Sequence, residues 1–163
     1  LANVDVKLLK DKQIVVYSAD QVVIDYLKQS TVFSNLDVKI FKRGQFLSNS
    51  TLLSYMGNSL LHIASSTSDG MPNALLEAMG MGAFPIQSNP GHVTEEVITH
   101  HKNGFLIHNP LDIKDIEQLI TKALNDQALL EHAKDINVKL IDKRCNRLHL
   151  QPKIQSLYTQ IIK

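Results

Sequence analysis

The sequence predicts an α/β domain in which a parallel sheet is flanked by helices, and three observations support this fold class. Short apolar runs rich in β-branched and aromatic residues alternate with longer runs of helical periodicity, which is typical of βα units. The 163 residues suit one domain, and no linker, repeat or low-complexity tract divides them. Hydrophobic residues make up 44% of the chain, which is enough for a sizeable core.

The elements can be assigned in chain order. Apolar runs predict strands at residues 14–17, 38–41, 60–64, 84–87 and 105–107. Helices are predicted at residues 21–29, from the cap-forming residues 48–50 to Gly57, at 72–81, at 94–98, at 113–124, at 127–142 and from 147 to the end. Asp112 is the predicted N-cap of the fifth of these helices. In the first helix, Val22, Val23, Tyr26 and Leu27 fall on one side.

Charge and hydropathy exclude several classes of protein. Seventeen Lys and Arg residues against sixteen Asp and Glu give a net charge of +1, so nucleic acid is not expected as a main partner. The apolar runs are far shorter than the roughly 18 residues that span a bilayer. We therefore expect a soluble, cytoplasmic domain without a signal peptide.

Cysteine and histidine usage argues against a metal or disulfide framework. Cys145 is the only cysteine, so no internal disulfide or multi-cysteine metal cluster can form. His100 and His101 are adjacent, and no histidine pair has the helical i, i+4 spacing of a zinc motif. His62 lies within an apolar strand and is expected in the core. No metal and no cofactor are expected, and no G-x-S-x-G elbow supports a hydrolase.

The segment of residues 65–82 carries the clearest chemistry, because it joins a strand to a helix at the carboxyl end of a parallel sheet, where α/β folds bind ligands. Pro72 suits the first helical position. The N–H groups of Asn73, Ala74 and Leu75 would then be free. Together with the helix dipole, these groups predict an anion site suited to a phosphate.

Two acids flank this predicted phosphate site. Leu75, Leu76 and Met79 form the apolar side of the helix, whereas Asn73, Glu77 and Gly80 share another stripe. A carboxylate at Glu77 could accept hydrogen bonds from the hydroxyls of a ribose, one unit removed from the phosphate. Asp69 lies on the opposite side, and Gly70 lets the backbone approach a ligand. The segment therefore predicts a clamp for a phosphate between two polyhydroxyl groups.

The spacing of Asp69 and Glu77, acid-x7-acid, resembles the E-x7-E motif of retaining GT-B glycosyltransferases, the glycosyl transferases group 1 family. Further features of this family follow in the same order: a strand with proline at 84–87, a glycine loop at 91–92, a glutamate at 95 or 96 and an Asn-Gly turn at 103–104. The resemblance covers roughly residues 36–130. It implies the C-terminal, nucleotide-sugar-binding, Rossmann-like half of a GT-B fold.

The resemblance also implies roles for single residues. The catalytic acid would be Asp69, which with the backbone of Gly70 and Met71 would address the donor sugar. The Asn73 and Ala74 amides would hold the distal phosphate, and Glu77 the ribose hydroxyls. The nucleobase would be read near Phe41 and Lys42. The implied reaction is retaining transfer of a hexose-type sugar from a nucleotide-diphosphate sugar to a glycan or lipid acceptor, without a metal.

Several positions depart from the family pattern. Asp69 is one methylene shorter than the usual Glu, His92 stands in place of the second loop glycine, and residues 18–20 replace a glycine-rich turn. The first βα unit of the family has no match, because residues 1–12 are too short to hold it. We therefore expect residues 1–163 to form one donor-binding domain. It would lack that unit and an N-terminal acceptor domain, through which any membrane contact would occur, and would not turn over alone.

A second class of function stays open at this point. Glu77 could be a solvated residue that merely favours the N-terminal half of its helix, and Asp69 an ordinary cap or turn residue. The chain would then be a non-catalytic nucleotide- or phosphate-binding α/β module with vestigial acids.

Overall fold

A computed structural model describes residues 1–161. Within them the chain forms parallel strands flanked by helices, as the sequence predicts. The strands are β1 (Gln13–Ala19), β2 (Asp37–Lys42), β3 (Leu61–Ala64), β4 (Phe84–Ser88) and β5 (Phe105–Ile107). The helices are α1 (Gln21–Gln29), α2 (Asn49–Gly57), α3 (Asn73–Gly80), α4 (Ile113–Leu124), α5 (Gln127–Cys145) and α6 (Arg147–Ile161).

The helix boundaries agree closely with the capping signals. Ser48 and Asp112 are N-caps whose side chains accept backbone hydrogen bonds from the first turns of α2 and α4. The predicted helix at 94–98 is instead a 3-10 turn, Thr94–Glu96. The last predicted helix is α6 up to Ile161, and its final two residues lie outside the described part of the chain.

The strands form two sheets rather than one continuous sheet. β1 pairs in parallel with β2, and β3, β4 and β5 form a second parallel sheet in that order. Among residues 1–161, β1 and β3 exchange no ladder hydrogen bonds, so each keeps one unpaired edge. A cavity of about 680 Å³ lies between these edges and is lined by residues of both strands, with Leu1 and Ile120 also in its wall. We call this cavity the interstrand slot.

Two apolar clusters hold the layers together. The larger cluster covers one face of the second sheet and includes Phe84, Ile86 and Phe105, which pack against α4 and α5. The smaller cluster covers the other face, where Leu75 and Met79 of α3 are fully buried. Because both faces are covered, every residue of β4 and β5 is buried.

The apolar side predicted for α1 does not enter the core. Val22 is 78% exposed and Tyr26 is 58% exposed, whereas Ile24 is the buried residue of this helix. His62 of β3, which was expected in the core, is only half-buried, and this burial lowers the pKa of the imidazole. No helix in the described residues is long and apolar enough to cross a membrane.

Candidate functional site

The candidate site lies at the carboxyl edge of the second sheet, where β3 ends at Ala64 and β4 ends at Ser88. The loop that follows β3 is joined to the last residue of β4 by a hydrogen bond in which the Ser66 N–H donates to the Ser88 Oγ at 2.9 Å. This bond holds the start of the 65–72 loop against β4. The loop then leads directly into α3, so one rigid strand end positions the helix terminus.

The N-terminus of α3 differs from the expectation in one respect. Pro72 is the N-cap, with an extended backbone at φ −71° and ψ 127°, and is not the first helical residue. The Leu75 N–H therefore already donates to the Pro72 carbonyl at 3.1 Å, which corrects the expectation that it is free. No backbone acceptor in the described residues takes the N–H groups of Asn73 and Ala74, and no side chain caps the helix. Two donors, rather than three, are available to an anion.

The loop before α3 presents an acid to solvent. Asp69 is exposed, and within residues 1–161 its carboxylate has no hydrogen bond or salt bridge. It does not cap α3, so an ordinary capping role does not account for it. A Cβ added at Gly70 would meet nothing within 4 Å, which leaves room for a ligand beside the backbone. Met71 is half-buried and packs on the smaller apolar cluster, which anchors the loop.

The second acid lies one to two turns into α3. Glu77 is half-buried, and among the described residues no side chain pairs with its carboxylate. Gly80, predicted on the same stripe, instead faces α5: a Cβ there would lie 3.1 Å from the Cγ2 of Ile141. The three residues therefore do not share one open face of α3. Asn73 and Glu77 lie towards its free N-terminus, whereas Gly80 contacts α5.

The two candidates for nucleobase recognition are engaged elsewhere. The Phe41 ring is buried 5.5 Å from the Tyr55 ring, with the Lys39 ammonium 5.4 Å from the Phe41 ring centroid. The Lys42 N–H donates to the Gln45 side chain at 3.2 Å, and the Lys42 carbonyl accepts from the Gln45 N–H at 3.0 Å. Among residues 1–161, no hydrogen bond or ion pair joins Phe41 or Lys42 to the N-terminus of α3.

A network after β4 distinguishes the two glutamates that the sequence left open. Glu95 accepts from the Asn89 side chain and lies 3.0 Å from the Nδ1 of His92, and this bond with His92 lowers the pKa of Glu95. Glu96 instead turns toward α5, where the Arg144 guanidinium contacts it. The Glu95 carboxylate therefore stays within the loop after β4, whereas Glu96 contacts α5. Asn89 was not among the predicted residues, and its position directly after a buried strand was the available signal.

Two departures from the family's glycine pattern keep a glycine-like backbone. His92 has φ 61° beside Gly91 at 66°, and Ser18 has φ 57° at the irregularity near the end of β1. These left-handed conformations are costly for residues with a Cβ. At both positions the backbone therefore has a φ that glycine adopts more readily.

No group of three or more His, Cys, Asp or Glu side chains in residues 1–161 could hold a metal ion. The chemical groups that the site offers a ligand are therefore two backbone N–H donors, the positive end of a helix dipole and two free carboxylates. Such a set suits an anion that carries hydroxyl-bearing groups on both sides.

The fold is a Rossmann-like α/β domain, and the N-terminus of α3 has two unpaired backbone N–H groups at the carboxyl edge of its sheet. The chain belongs to the glycosyl transferases group 1 family, whose profile matches residues 37–139. This match spans β2 to most of α5 and includes the whole candidate site. A comparison with curated proteins finds no significant match.

Solved structures of GT-B glycosyltransferases share the fold. A mutant of TarM from S. aureus, in complex with fondaparinux, alpha-GlcNAc-glycerol and UDP, has a TM-score of 0.72 and 16% identity over 94% of this chain and 31% of its own. HepE from Anabaena, in complex with UDP, has a TM-score of 0.73 and 17% identity over 98% and 44%. The C-terminal domain of the group 1 protein LpcC from Francisella tularensis has a TM-score of 0.61 and 18% identity over 76% and 60%. The chain thus spans less than two thirds of these matched structures.

Proposed function

We propose that this chain is the donor-binding domain of a glycosyltransferase that uses a nucleotide-diphosphate sugar. The observation that carries the proposal is the free N-terminus of α3, where the unpaired N–H groups of Asn73 and Ala74 lie in the chain between two acids, Asp69 and Glu77, whose carboxylates are unpaired. The family match across residues 37–139 supports it. Two similar structures hold UDP, which favours a uridine nucleotide as the first ligand to test.

In this proposal each part of the site has a chemical role. The Asn73 and Ala74 N–H groups and the helix dipole would stabilise the charge of the leaving diphosphate, so no metal is required. Glu77 would accept hydrogen bonds from the ribose hydroxyls. Asp69, with the backbone of Gly70 and Met71, would address a hexose during transfer with retained configuration to a glycan or lipid acceptor. Base recognition near Phe41 and Lys42 would require the two hydrogen bonds between Gln45 and the Lys42 backbone to break.

The proposal includes polypeptide outside residues 1–163. A complete active site would add an N-terminal acceptor domain and the first βα unit of the family. Two observations support this view: the chain spans 31% to 44% of the TarM and HepE chains, and the interstrand slot is lined by the unpaired edges of both β1 and β3. A strand placed there would pair with both edges and join the two sheets. The domain alone would bind donor without turnover.

Titration of the ¹⁵N-labelled domain with UDP, UDP-glucose, GDP-mannose and ADP-glucose tests the assignment. We expect amide shifts concentrated at residues 69–77 for one nucleotide. Glu77→Ala should weaken binding of that nucleotide by about 1.5–3 kcal/mol, because a charged hydrogen-bond acceptor is lost. Glu131→Ala, an exposed glutamate of α5, is the matched control and should bind as the wild type does.

Asp69→Asn tests whether Asp69 contacts the sugar or the nucleotide part of the donor. We expect it to weaken binding of the nucleotide sugar while leaving the affinity for the free nucleotide unchanged. Absence of shifts at residues 69–77 with every nucleotide would overturn the proposal. Nucleotide binding that is insensitive to both Asp69 and Glu77 would favour a non-catalytic phosphate-binding module with vestigial acids.

A further inference from the structure

The outer edge of β5 is satisfied in an unusual way. β5 is an edge strand of the second sheet, and edge strands present backbone groups without a partner strand. Leu106 is 4% exposed, and its N–H donates to the Nδ1 of His100 at 2.8 Å. An imidazole therefore takes the place of a neighbouring strand at this buried donor.

This hydrogen bond requires one protonation state of His100. A backbone N–H can only donate, so Nδ1 of His100 must carry no proton, and the ring is neutral with its proton on Nε2. Protonation of Nδ1 would place two N–H donors, that of His100 and that of Leu106, opposite each other. The Leu106 N–H would then be buried without an acceptor. The bond between His100 and β5 exists only while the imidazole is neutral.

The groups around His100 are mostly cationic or able to become so. The His101 ring lies 3.8 Å from the His100 ring, and the His108 ring lies 5.6 Å away. From α4, the Lys122 ammonium lies 3.4 Å from the Nδ1 of His101, and Asp115 is the acid that opposes them. A second positive charge at His100 would therefore be unfavourable as well as poorly solvated.

The same residues hold the loop that precedes β5. His100 forms a parallel bridge with Gly104, and the His101 N–H donates to the Gly104 carbonyl at 3.0 Å. Gly104 has no room for a side chain, because a Cβ would lie 2.7 Å from the Pro85 ring. The loop therefore packs closely against β4 and β5, and the His100 side chain accepts the hydrogen bond that joins it to β5.

We propose that His100 is a pH-sensitive latch, which holds the 99–104 loop on the edge of β5 at neutral pH and releases it in mildly acidic solution. The release frees the edge of β5, whose carboxyl end leads into His108. This inference concerns the fold of the edge and does not depend on the proposed function.

The pH range follows from proton linkage. Burial, and then His101 and His108, lower the pKa of His100 in the folded domain, whereas Asp115 opposes them. An unfolded histidine titrates near pH 6.5. The open or unfolded chain therefore binds more protons as the pH falls through about 6.5, so the latch weakens on acidification and is complete above that pH.

Amide hydrogen exchange at Leu106, measured by NMR at pH 7.5 and 5.5 and corrected for the intrinsic rate, tests the latch. In the wild type we expect a loss of protection at pH 5.5 that approaches about tenfold, the limit for one histidine that titrates near 6.5 in the open chain. His100→Asn should abolish this pH dependence, because the Asn Oδ1 can stand in for Nδ1 as an acceptor but does not titrate. His132→Asn, at an exposed histidine of α5, is the matched control and should lose protection as the wild type does.

Imidazole ¹⁵N shifts of the wild-type domain give a second measurement that needs no variant. We expect an unprotonated Nδ1 at His100 at neutral pH and a midpoint below the ordinary value of about 6.5. A proton on Nδ1 at pH 7.5, a midpoint at or above the ordinary value, or equal loss of Leu106 protection in His100→Asn would each overturn the latch.

Discussion

The two sheets of this domain are buried to very different degrees. Every residue of β4 and β5 is buried, because α3 covers one face and α4 with α5 cover the other. In β1 the residues are mostly half-buried or exposed, and Tyr17 is 52% exposed. Parallel strands are normally covered on both faces. Within residues 1–161, β4 and β5 of the second sheet meet this condition, whereas the half-buried β3 and the first sheet do not.

This difference in burial indicates which sheet stabilises the domain and carries the candidate site. The candidate site is built on the carboxyl ends of β3 and β4, and its loops are tied to that sheet by the Ser66–Ser88 hydrogen bond. The family match also begins only at residue 37, after β1 and α1. The buried strands β4 and β5 can hold a binding site in place, whereas partly covered strands contribute less to the folding free energy.

The largest effect that tests this comparison comes from truncation in the second sheet. Phe84 is 1% exposed and packs edge-to-face on Phe105 with 5.0 Å between ring centroids. Phe84→Ala should lower the free energy of unfolding by about 3–5 kcal/mol through lost burial and a cavity. Val16→Ala in half-buried β1 should cost only about 1 kcal/mol. Urea denaturation of both variants measures the difference, and similar costs would contradict the comparison.

Much of the fold could be predicted because its signals are local. The buried run at β4 and the cap at Asp112 depend on neighbouring residues, and both were assigned correctly. The division into two sheets could not be predicted, since strand pairing is a long-range property and nothing in residues 14–17 or 60–64 marks an unpaired edge. The periodicity of α1 gave an apolar side, but burial of that side depends on what covers it, and residues 1–161 leave it exposed.

The candidate site was predictable to a similar extent. Asp69 and Glu77 are predicted from their spacing along one segment, which is visible in the sequence, and their roles stay predictions. The engagement of the Leu75 N–H was missed, because it depends on the extended ψ of Pro72, which proline does not fix. The Ser66–Ser88 bond joins residues that are 22 positions apart, and no local pattern predicts such a contact.

A smaller effect should come from the polar link between α5 and the 99–104 loop that precedes β5. Asn137 is fully buried; its side chain donates to the Asn103 carbonyl at 2.9 Å and accepts from the Asn103 side chain at 2.8 Å. Asn137→Ala leaves these buried groups unpaired and should lower the free energy of unfolding by roughly 2–3 kcal/mol. Asn125→Ala, at the exposed end of α4, is the control and should cost less than about 1 kcal/mol. Thermal or urea unfolding of the two variants measures both costs, and equal values would show that the buried link adds no stability to the second sheet.

The smallest effect is expected on the exposed face of α1, and it tests whether the first sheet and its helix are less buried than the second sheet. Val22 is 78% exposed, so Val22→Ser should change the free energy of unfolding by no more than about 0.5 kcal/mol. Ile24→Ala on the buried side of the same helix should cost several times more, which shows that α1 itself is folded. If Val22→Ser instead destabilises the domain as strongly as Ile24→Ala does, then this face is covered in solution. The first sheet would in that case be a buried layer like the second, and the contrast between the two sheets would not hold.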